Sequence, residues 1–125
     1  MSQIFLTTAA ISGGLSVAAG AFAAHALAKH LTRPMLEIFE TAARYQMYHA
    51  LVLVLVALLL SRALIPQPAL VVAGWAFITG MVLFCGSLYA LSLTNVHWLG
   101  AVTPVGGLAF LVGWGCLAIA AGGLK

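Results

Sequence analysis

Apolar residues fill four long runs along this chain, and polar residues gather in the short stretches between them. The runs cover about residues 4–27, 46–64, 69–93 and 99–124. Each run reaches or approaches the roughly 20 residues that cross about 30 Å of hydrocarbon. Backbone groups in lipid must be hydrogen-bonded within the segment, and the runs lack the alternating pattern of a membrane β-barrel. The pattern therefore predicts an all-α, four-span transmembrane helical bundle, folded as a single domain over residues 1–125.

The second helix is predicted to begin before its apolar run. Pro34 suits a first helical turn, and neither glycine nor proline interrupts residues 35–65. This helix therefore extends beyond the membrane at its N-terminal end. Its first turns either lie in the membrane interface or project as a straight extension, and the sequence favours neither.

One end of the bundle is chemically distinct. Residues 28–47 hold every charged side chain except Arg62 and Lys125. The predicted topology places the first and third loops on one side of the membrane and both termini on the other. Polar and aromatic residues concentrate on the loop side, and from them we expect a polar pocket lined by His25, Glu40, Arg44, Tyr45, Tyr48, His49, Tyr89, Asn95 and Thr103.

The sequence favours a structural interpretation of the same residues. Glu40 and Arg44 are four residues apart on one helix, so they are expected to form an ion pair. His25 then bonds a backbone carbonyl where its helix ends, and the tyrosines form an aromatic belt with Trp98.

Small residues recur at helical spacing and predict close contacts between helices. The predicted packing positions are Ser12, Ser16, Gly20 and Ala24 in the first helix, Gly86 and Ala90 in the third, and Ala109 and Gly113 in the fourth. A large side chain at Gly20 or Gly86 is accordingly expected to disrupt the bundle. The ladder in the first run also argues against a cleaved signal peptide, as does the lack of a basic residue before Lys29.

Composition supports the membrane assignment and limits the partners. The chain is 64% hydrophobic and 6% charged, with a mean hydropathy of +1.16. Five basic residues are too few for a nucleic-acid-binding surface. Membrane lipids are the expected partners, together with further copies of the chain or a larger membrane complex. The distribution of basic residues favours cytoplasmic loops and external termini, by a margin of one residue. The expected location is a bacterial inner membrane.

The sequence contains no clear motif for a metal site, a cofactor site or a catalytic nucleophile. No histidine and carboxylate pair has the spacing that places two metal ligands on one helix face. Haem between His25 and His49 requires facing ligands in a bundle rich in packing glycines. Cys85 and Cys116 lie singly in apolar runs, and no serine lies in a nucleophile elbow. We therefore expect no metal, no cofactor and no catalytic residue, and we do not expect an enzyme.

Three functions remain. The first is a structural or interaction component of a membrane assembly or homo-oligomer. The second is a transporter or channel component for protons or a small polar solute, with Glu40 and His49 as the titrating pair. The third is a lipid- or quinone-binding protein, with Arg44 on a head group.

Four sequence blocks resemble a known family. They are GAFAAHAL at residues 20–27, ETAARYQMYHAL at 40–51, GMVLFCGSLYALSL at 80–93 and LGAVTPVGGLAFLVGW at 99–114. In this order the blocks resemble the small YgdD-like membrane proteins. That family is defined by a domain of unknown function (number four-two-three) and is related to a small eukaryotic transmembrane protein. The resemblance implies four spans and carries no established activity, cofactor or catalytic residue.

Overall fold

The computed structural model describes residues 1–124, which fold into helices connected by short turns. The α-helices are α1 Ser2–His25, α2 Arg33–Arg62, α3 Pro68–Gly80, α4 Gly86–Thr94 and α5 Thr103–Gly122. A π-helical turn, Met81–Cys85, joins α3 and α4 into one continuous span. Four helical segments are long and apolar enough to cross a membrane. The predicted all-α, four-span fold is confirmed, and the described part of the chain contains no strand.

The second helix is continuous and longer than a bilayer requires. It runs for 30 residues from Arg33 with Pro34 in its first turn, which corresponds to about 45 Å. About 20 of these residues fill the hydrocarbon. If Arg62 is taken as the terminus-side end of the span, these roughly 20 residues reach back to about Ala43. The first turns of α2 are thus an extension of the membrane helix.

Two spans form the centre of the bundle and two lie at its periphery. In their most apolar stretches, 44% of residues are buried in α2 and 39% in the third span, against 17% in α1 and 22% in the fourth span. Helix α1 packs along α2, and α5 packs along α3. The side chains that are fully buried, Phe5, Leu53, Val56, Leu70 and Phe77, join these helices into one apolar core.

Aromatic rings packed against glycines bring the helices together. Gly74 lies under the ring of Phe5, Gly80 under Phe110 and Gly113 under Phe77, and a Cβ atom at any of them would overlap the ring. Gly106 is tighter still, because an added Cβ would overlap the backbone of Phe84. The helices therefore approach closely where an aromatic side chain of one helix packs against a glycine of another.

The predicted packing positions divide between buried and exposed sites. Ser16 is buried and donates to the carbonyl of Gly13 at 2.7 Å, whereas Gly20 and Ala24 are exposed. Residues four apart advance about 40° around a helix, so the ladder drifts off the buried face after Ser16. An added Cβ at Gly20 or Gly86 would meet nothing within 4 Å, so neither glycine forms the contact expected within the bundle.

The other packing positions keep partial contacts. Ser12 is half-buried and donates to the sulfur of Met81 at 3.3 Å, which connects α1 to the third span. Ala90 and Ala109 are half-buried. Only Ser16 and Gly113 of the eight predicted positions are buried within the chain.

The π-helical turn coincides with a close backbone contact between spans. Phe84 lies within this turn, and its backbone meets Gly106 of α5. The turn disturbs the regular helical hydrogen bonds, and Ser87 donates to the carbonyl of Phe84 at 3.0 Å. The hydroxyls of Ser87 and Thr103 are also 2.7 Å apart. Ser87 therefore bonds the π-helical turn and contacts the start of α5.

Candidate functional site

His49 lies at the centre of the polar half of the bundle, on the buried face of α2. Its Nδ1 is 2.7 Å from the carbonyl oxygen of Tyr45, one turn earlier. The indole nitrogen of Trp114 donates to His49 Nε2 at 3.2 Å. Because a carbonyl only accepts and an indole N–H only donates, the neutral tautomer with hydrogen on Nδ1 satisfies both bonds. Both ring nitrogens are therefore occupied.

Aromatic side chains enclose the imidazole. It stacks on Phe110 with 3.5 Å between ring centroids and 8° between planes. Phe77 lies at 5.7 Å, and Trp114 contacts the ring edge-on at 6.0 Å. These rings come from α3 and α5, so His49 joins both helices to α2. With 5% of its surface exposed, His49 has little room to contact a ligand.

Gln46 forms a second polar connection, one turn outward on the same helix. Its amide nitrogen donates to the carbonyl of Ser12 at 2.8 Å, and its amide oxygen accepts from the hydroxyl of Tyr89 at 2.7 Å. The side chain thus connects α1, α2 and α4. Both buried ends of the amide are satisfied, as required in an apolar interior.

Glu40 and Arg44 occupy an outer layer, and the ion pair expected between them is absent. In residues 1–124, the ion pair within 4 Å is between Arg33 and Glu37, at 3.5 Å. Arg44 instead donates from Nη2 to the hydroxyl of Thr41 at 3.2 Å. Extension of Arg44 toward Thr41 leaves its guanidinium exposed.

The remaining predicted pocket residues are dispersed. His25 is exposed where α1 ends, and Tyr48 is exposed beside Tyr45. Tyr45 packs on Phe84 with centroids 4.8 Å apart. Asn95 is also exposed and takes a left-handed conformation, with φ of 58°.

Two of these residues have clear structural roles. Asn95 ends α4, since asparagine tolerates this backbone region and its N–H bonds the carbonyl of Leu91. Thr103 contacts Ser87 where α5 begins. The predicted pocket is thus divided into the enclosed His49 layer, the Gln46–Tyr89 bridge, the Glu40 and Arg44 layer, and separate loop positions.

The arrangement offers no cluster of metal ligands. Across residues 1–124, no group of three histidine, cysteine, aspartate or glutamate side chains comes together. Cys85 is buried and Cys116 half-buried, and both are free thiols.

The residue pattern contained a signal for Gln46 but not for the partners of His49. Gln46 lies on the same helix face as Ala42, Ala50 and Leu53, all of them buried. A polar residue on an apolar face indicates a buried hydrogen bond, so Gln46 belonged in the predicted set. Trp114 and Phe110 lie in an apolar run without any mark that distinguishes them from residues facing lipid.

The comparisons with known proteins agree on one family. A family model described as protein of unknown function (DUF423) matches residues 19–107. UPF0382 membrane protein YwdK of Bacillus subtilis (strain 168) is 42% identical over 119 residues, covering 95% of this chain and 96% of the relative. A UPF0382 membrane protein of Staphylococcus epidermidis (strain ATCC 12228) is 42% identical over 118 residues and 94% of each chain. No solved structure matches. With its four membrane-spanning helices, this chain is an integral membrane protein that belongs to the DUF423 family.

Proposed function

We propose that this protein is an interaction component of a membrane assembly, in which α1 packs against the α1 helix of a second copy. The observation that supports this role is the outward face of α1. Seven exposed residues lie on it at alternating intervals of four and three: Gln3, Thr7, Ala10, Gly14, Val17, Ala21 and Ala24. We call this set the heptad face.

The chemistry of the heptad face suits a helix better than lipid. Only Val17 among the seven is a large apolar residue. The large exposed residues Ile4, Ile11 and Leu15 of α1 lie to one side of this face. The outward face of α5 itself carries Leu108, Leu111 and Ile119, all strongly exposed. Small residues allow two backbones to approach closely, and the van der Waals packing between such backbones drives helix association in membranes.

The spacing also fits a long contact. Residues that repeat every seven positions stay in line between two helices that supercoil around each other. A second copy is the simplest partner, because two-fold symmetry brings the same face of both chains together. Gly14 lies near the middle of the face, where a side chain would separate the helices most.

A matched pair of glycine variants tests the proposal. Gly14 and Gly115 are both exposed, and an added Cβ at either would meet nothing within 4 Å in the chain. We expect wild type and Gly115→Leu to form the same oligomer in mild detergent. Gly14→Leu should be a folded monomer that still unfolds cooperatively, without the stabilisation that association gives the wild type. Native mass spectrometry gives the mass. Monomeric wild type, or Gly14→Leu with the wild-type mass, would contradict the proposal.

Cross-linking locates the contact independently. In a background carrying Cys85→Ala and Cys116→Ala, single cysteines at Ala10 or Ala21 should form dimers on oxidation. A cysteine at Leu111, on the outward face of α5, should not. Efficient cross-linking at Leu111 alone would place the interface on the fourth span instead.

Transport receives less support from the geometry. The candidate titrating pair is separated, with His49 enclosed by aromatic rings and Glu40 in the outer layer. In the half of the bundle nearer the termini, α2 presents Val52, Leu53, Val56 and Ala57 to the core. A polar solute would meet apolar side chains along that path.

We further propose that the protein lies in the cytoplasmic membrane of a bacterium. Integral proteins of this membrane cross it as α-helices. The similar proteins named above are membrane proteins of Bacillus subtilis and Staphylococcus epidermidis. Fractionation of cells by density, followed by detection of a tagged chain, tests this location.

A further inference from the structure

A groove between α1 and α2 lies beside Ala43 and Arg44, where a span of about 20 residues counted back from Arg62 begins. It has a volume of about 290 Å³. Its lining residues are Ser16, Gly20, Glu40, Ala43, Arg44 and Met47, and we call it the Glu40–Arg44 groove. Because Gly20 has no side chain and an added Cβ there would meet nothing within 4 Å, α1 leaves the groove open.

The chemistry of the groove changes in a fixed order with depth. Helix α2 runs from the loop side at Arg33 toward the terminus side at Arg62. Met47 is therefore deepest, Arg44 lies about 4.5 Å further out and Glu40 about 6 Å beyond Arg44. From the membrane centre outward, the groove presents an apolar side chain, then a cation, then an anion.

A phospholipid with an ethanolamine head group has the complementary order. Its acyl chains lie deepest, its phosphate carries negative charge at the boundary, and a two-carbon link carries the ammonium outward. We infer that the Glu40–Arg44 groove binds such an aminophospholipid. The acyl chain lies along Met47 and Ala43, the phosphate accepts from Arg44, and the ammonium donates to Glu40. Arginine suits this place because its planar fork of N–H donors matches phosphate oxygens.

Both charged side chains are free to make these contacts. The ion pair found in residues 1–124 uses Arg33 and Glu37 and neither residue of the groove. Arg44 donates to Thr41 through Nη2 alone, which leaves its other N–H groups for a head group. Glu40 is half-buried, and a charged group at the edge of the hydrocarbon is stabilised by an opposite charge.

The same chemistry discriminates among head groups. A phosphatidylglycerol head group has no cation, so it leaves Glu40 without a partner beside a second negative charge. A phosphatidylcholine head group has a cation, but its quaternary nitrogen has no N–H to donate. Ethanolamine supplies both the charge and the donors.

Native mass spectrometry of the full chain in mild detergent tests the inference. The delipidated protein is mixed with phosphatidylethanolamine, phosphatidylcholine or phosphatidylglycerol carrying identical acyl chains. We expect phosphatidylethanolamine to bind roughly tenfold more tightly than either other lipid, the change expected for one charge-assisted hydrogen bond. Glu40→Gln should abolish this preference. Glu37→Gln, which removes a carboxylate one turn outward on the same helix, should retain it.

Two further variants separate the groove from general electrostatics. The double variant Glu40→Arg with Arg44→Glu keeps composition and net charge but reverses the order of charges, so it should lose the preference. Gly20→Leu fills the groove and should weaken binding of all three lipids. A wild-type melting temperature for both variants shows that the fold is intact, since Glu40 and Arg44 make no ion pair and Gly20 has open space.

Three results would overturn the inference. They are equal binding of the three lipids by wild type, an ethanolamine preference retained by Glu40→Gln or by the reversed pair, and unaltered lipid binding by Gly20→Leu. The inference is independent of the proposed oligomer, because Gly20 and Gly14 lie about 120° apart around α1. Failure of one proposal leaves the other standing.

Discussion

His49 combines an aromatic ring and two hydrogen-bonding atoms in a place where each has a partner. Its ring stacks on Phe110, its Nδ1 bonds Tyr45 and its Nε2 bonds Trp114. In an apolar interior, an unpaired polar atom is costly. A leucine would fill the space but leave the indole N–H of Trp114 without its partner. Histidine at this position is thus explained by packing and hydrogen bonding together.

Truncation of His49 should therefore destabilise the fold. We expect His49→Ala to cost about 2–5 kcal/mol, as for other large-to-small core substitutions. Trp114→Phe removes the donor together with part of the indole ring, so it should cost more than about 0.6 kcal/mol, the average for hydrogen bonds measured in one membrane protein, but less than His49→Ala. Unfolding by denaturant in mild detergent measures both. His97→Ala, at an exposed loop position, is the control and should match wild type; a wild-type transition for His49→Ala would contradict the structural role.

For single residues, the sequence predicts the helix face on which a side chain lies better than the residues that the side chain contacts. Helical spacing puts Tyr45 and His49 one turn apart on α2, and the contact between the His49 ring and the Tyr45 carbonyl follows from it. Spacing within one helix carries no information on which residues of a distant helix face it. Phe110 and Trp114 lie more than 60 positions later, so their contacts with His49 arise from the packing of α5. The ion pair expected from the spacing of Glu40 and Arg44 is absent for a different reason, because Arg44 donates instead to Thr41, three residues earlier on the same helix.

Among the helices, the identity of the opposing residue decides whether a glycine is required. Gly106 and Gly86 both lie in membrane helices, yet one meets the backbone of Phe84 and the other meets open space. A side chain can turn away from a new methyl group, but a helix backbone can move only with its whole span. Gly106 is therefore the least replaceable of the glycines at the helix contacts.

The same substitution at these two glycines should give opposite results. We expect Gly106→Ala to destabilise the protein by about 1–3 kcal/mol, the usual range for overpacking a core. Gly86→Ala should be neutral or slightly stabilising, because alanine is the better helix former. Thermal unfolding of the two variants in one detergent checks this directly. Equal melting temperatures would show that α5 can shift away from Phe84, contrary to the packing described.

The helices themselves were the most predictable feature, and the π-helical turn was the least. Four apolar runs near the length of a bilayer allow few alternatives, because lipid requires internally bonded segments. Pro34 also marked the start of α2 correctly. The turn at Met81–Cys85 has a sequence that an ordinary helix accepts equally well. Its extra residue is stabilised by contacts of Phe84 and Ser87 with α5, which do not exist before the chain is packed.

For the molecule as a whole, orientation in the membrane depends on a small difference in charge. The loop side carries Lys29, Arg33 and Arg44, and the terminus side carries Arg62 and Lys125. Cytoplasmic segments are enriched in Lys and Arg, so the loop side is expected to be cytoplasmic. A difference of one basic residue makes this orientation sensitive to a few substitutions, whereas the four spans keep the two sides opposite in either orientation.

Adding two basic residues to the terminus side should therefore invert or mix the orientation. Leu64 and Ile65 lie in the turn after α2 and are 99% and 68% exposed, so arginine at both positions should leave the packing intact. The variant Leu64→Arg with Ile65→Arg has four basic residues on that side against three on the loop side. Reporter fusions at the C-terminus and within residues 28–32 should report opposite sides in wild type, with the C-terminus external. In the variant, the C-terminal reporter should become cytoplasmic in part or all of the molecules.

Leu64→Gln with Ile65→Gln controls for polarity without charge and should keep the wild-type orientation. If both reporters lie on the same side in wild type, the four-span topology is wrong; if the arginine variant keeps the wild-type orientation, the charge difference does not determine it.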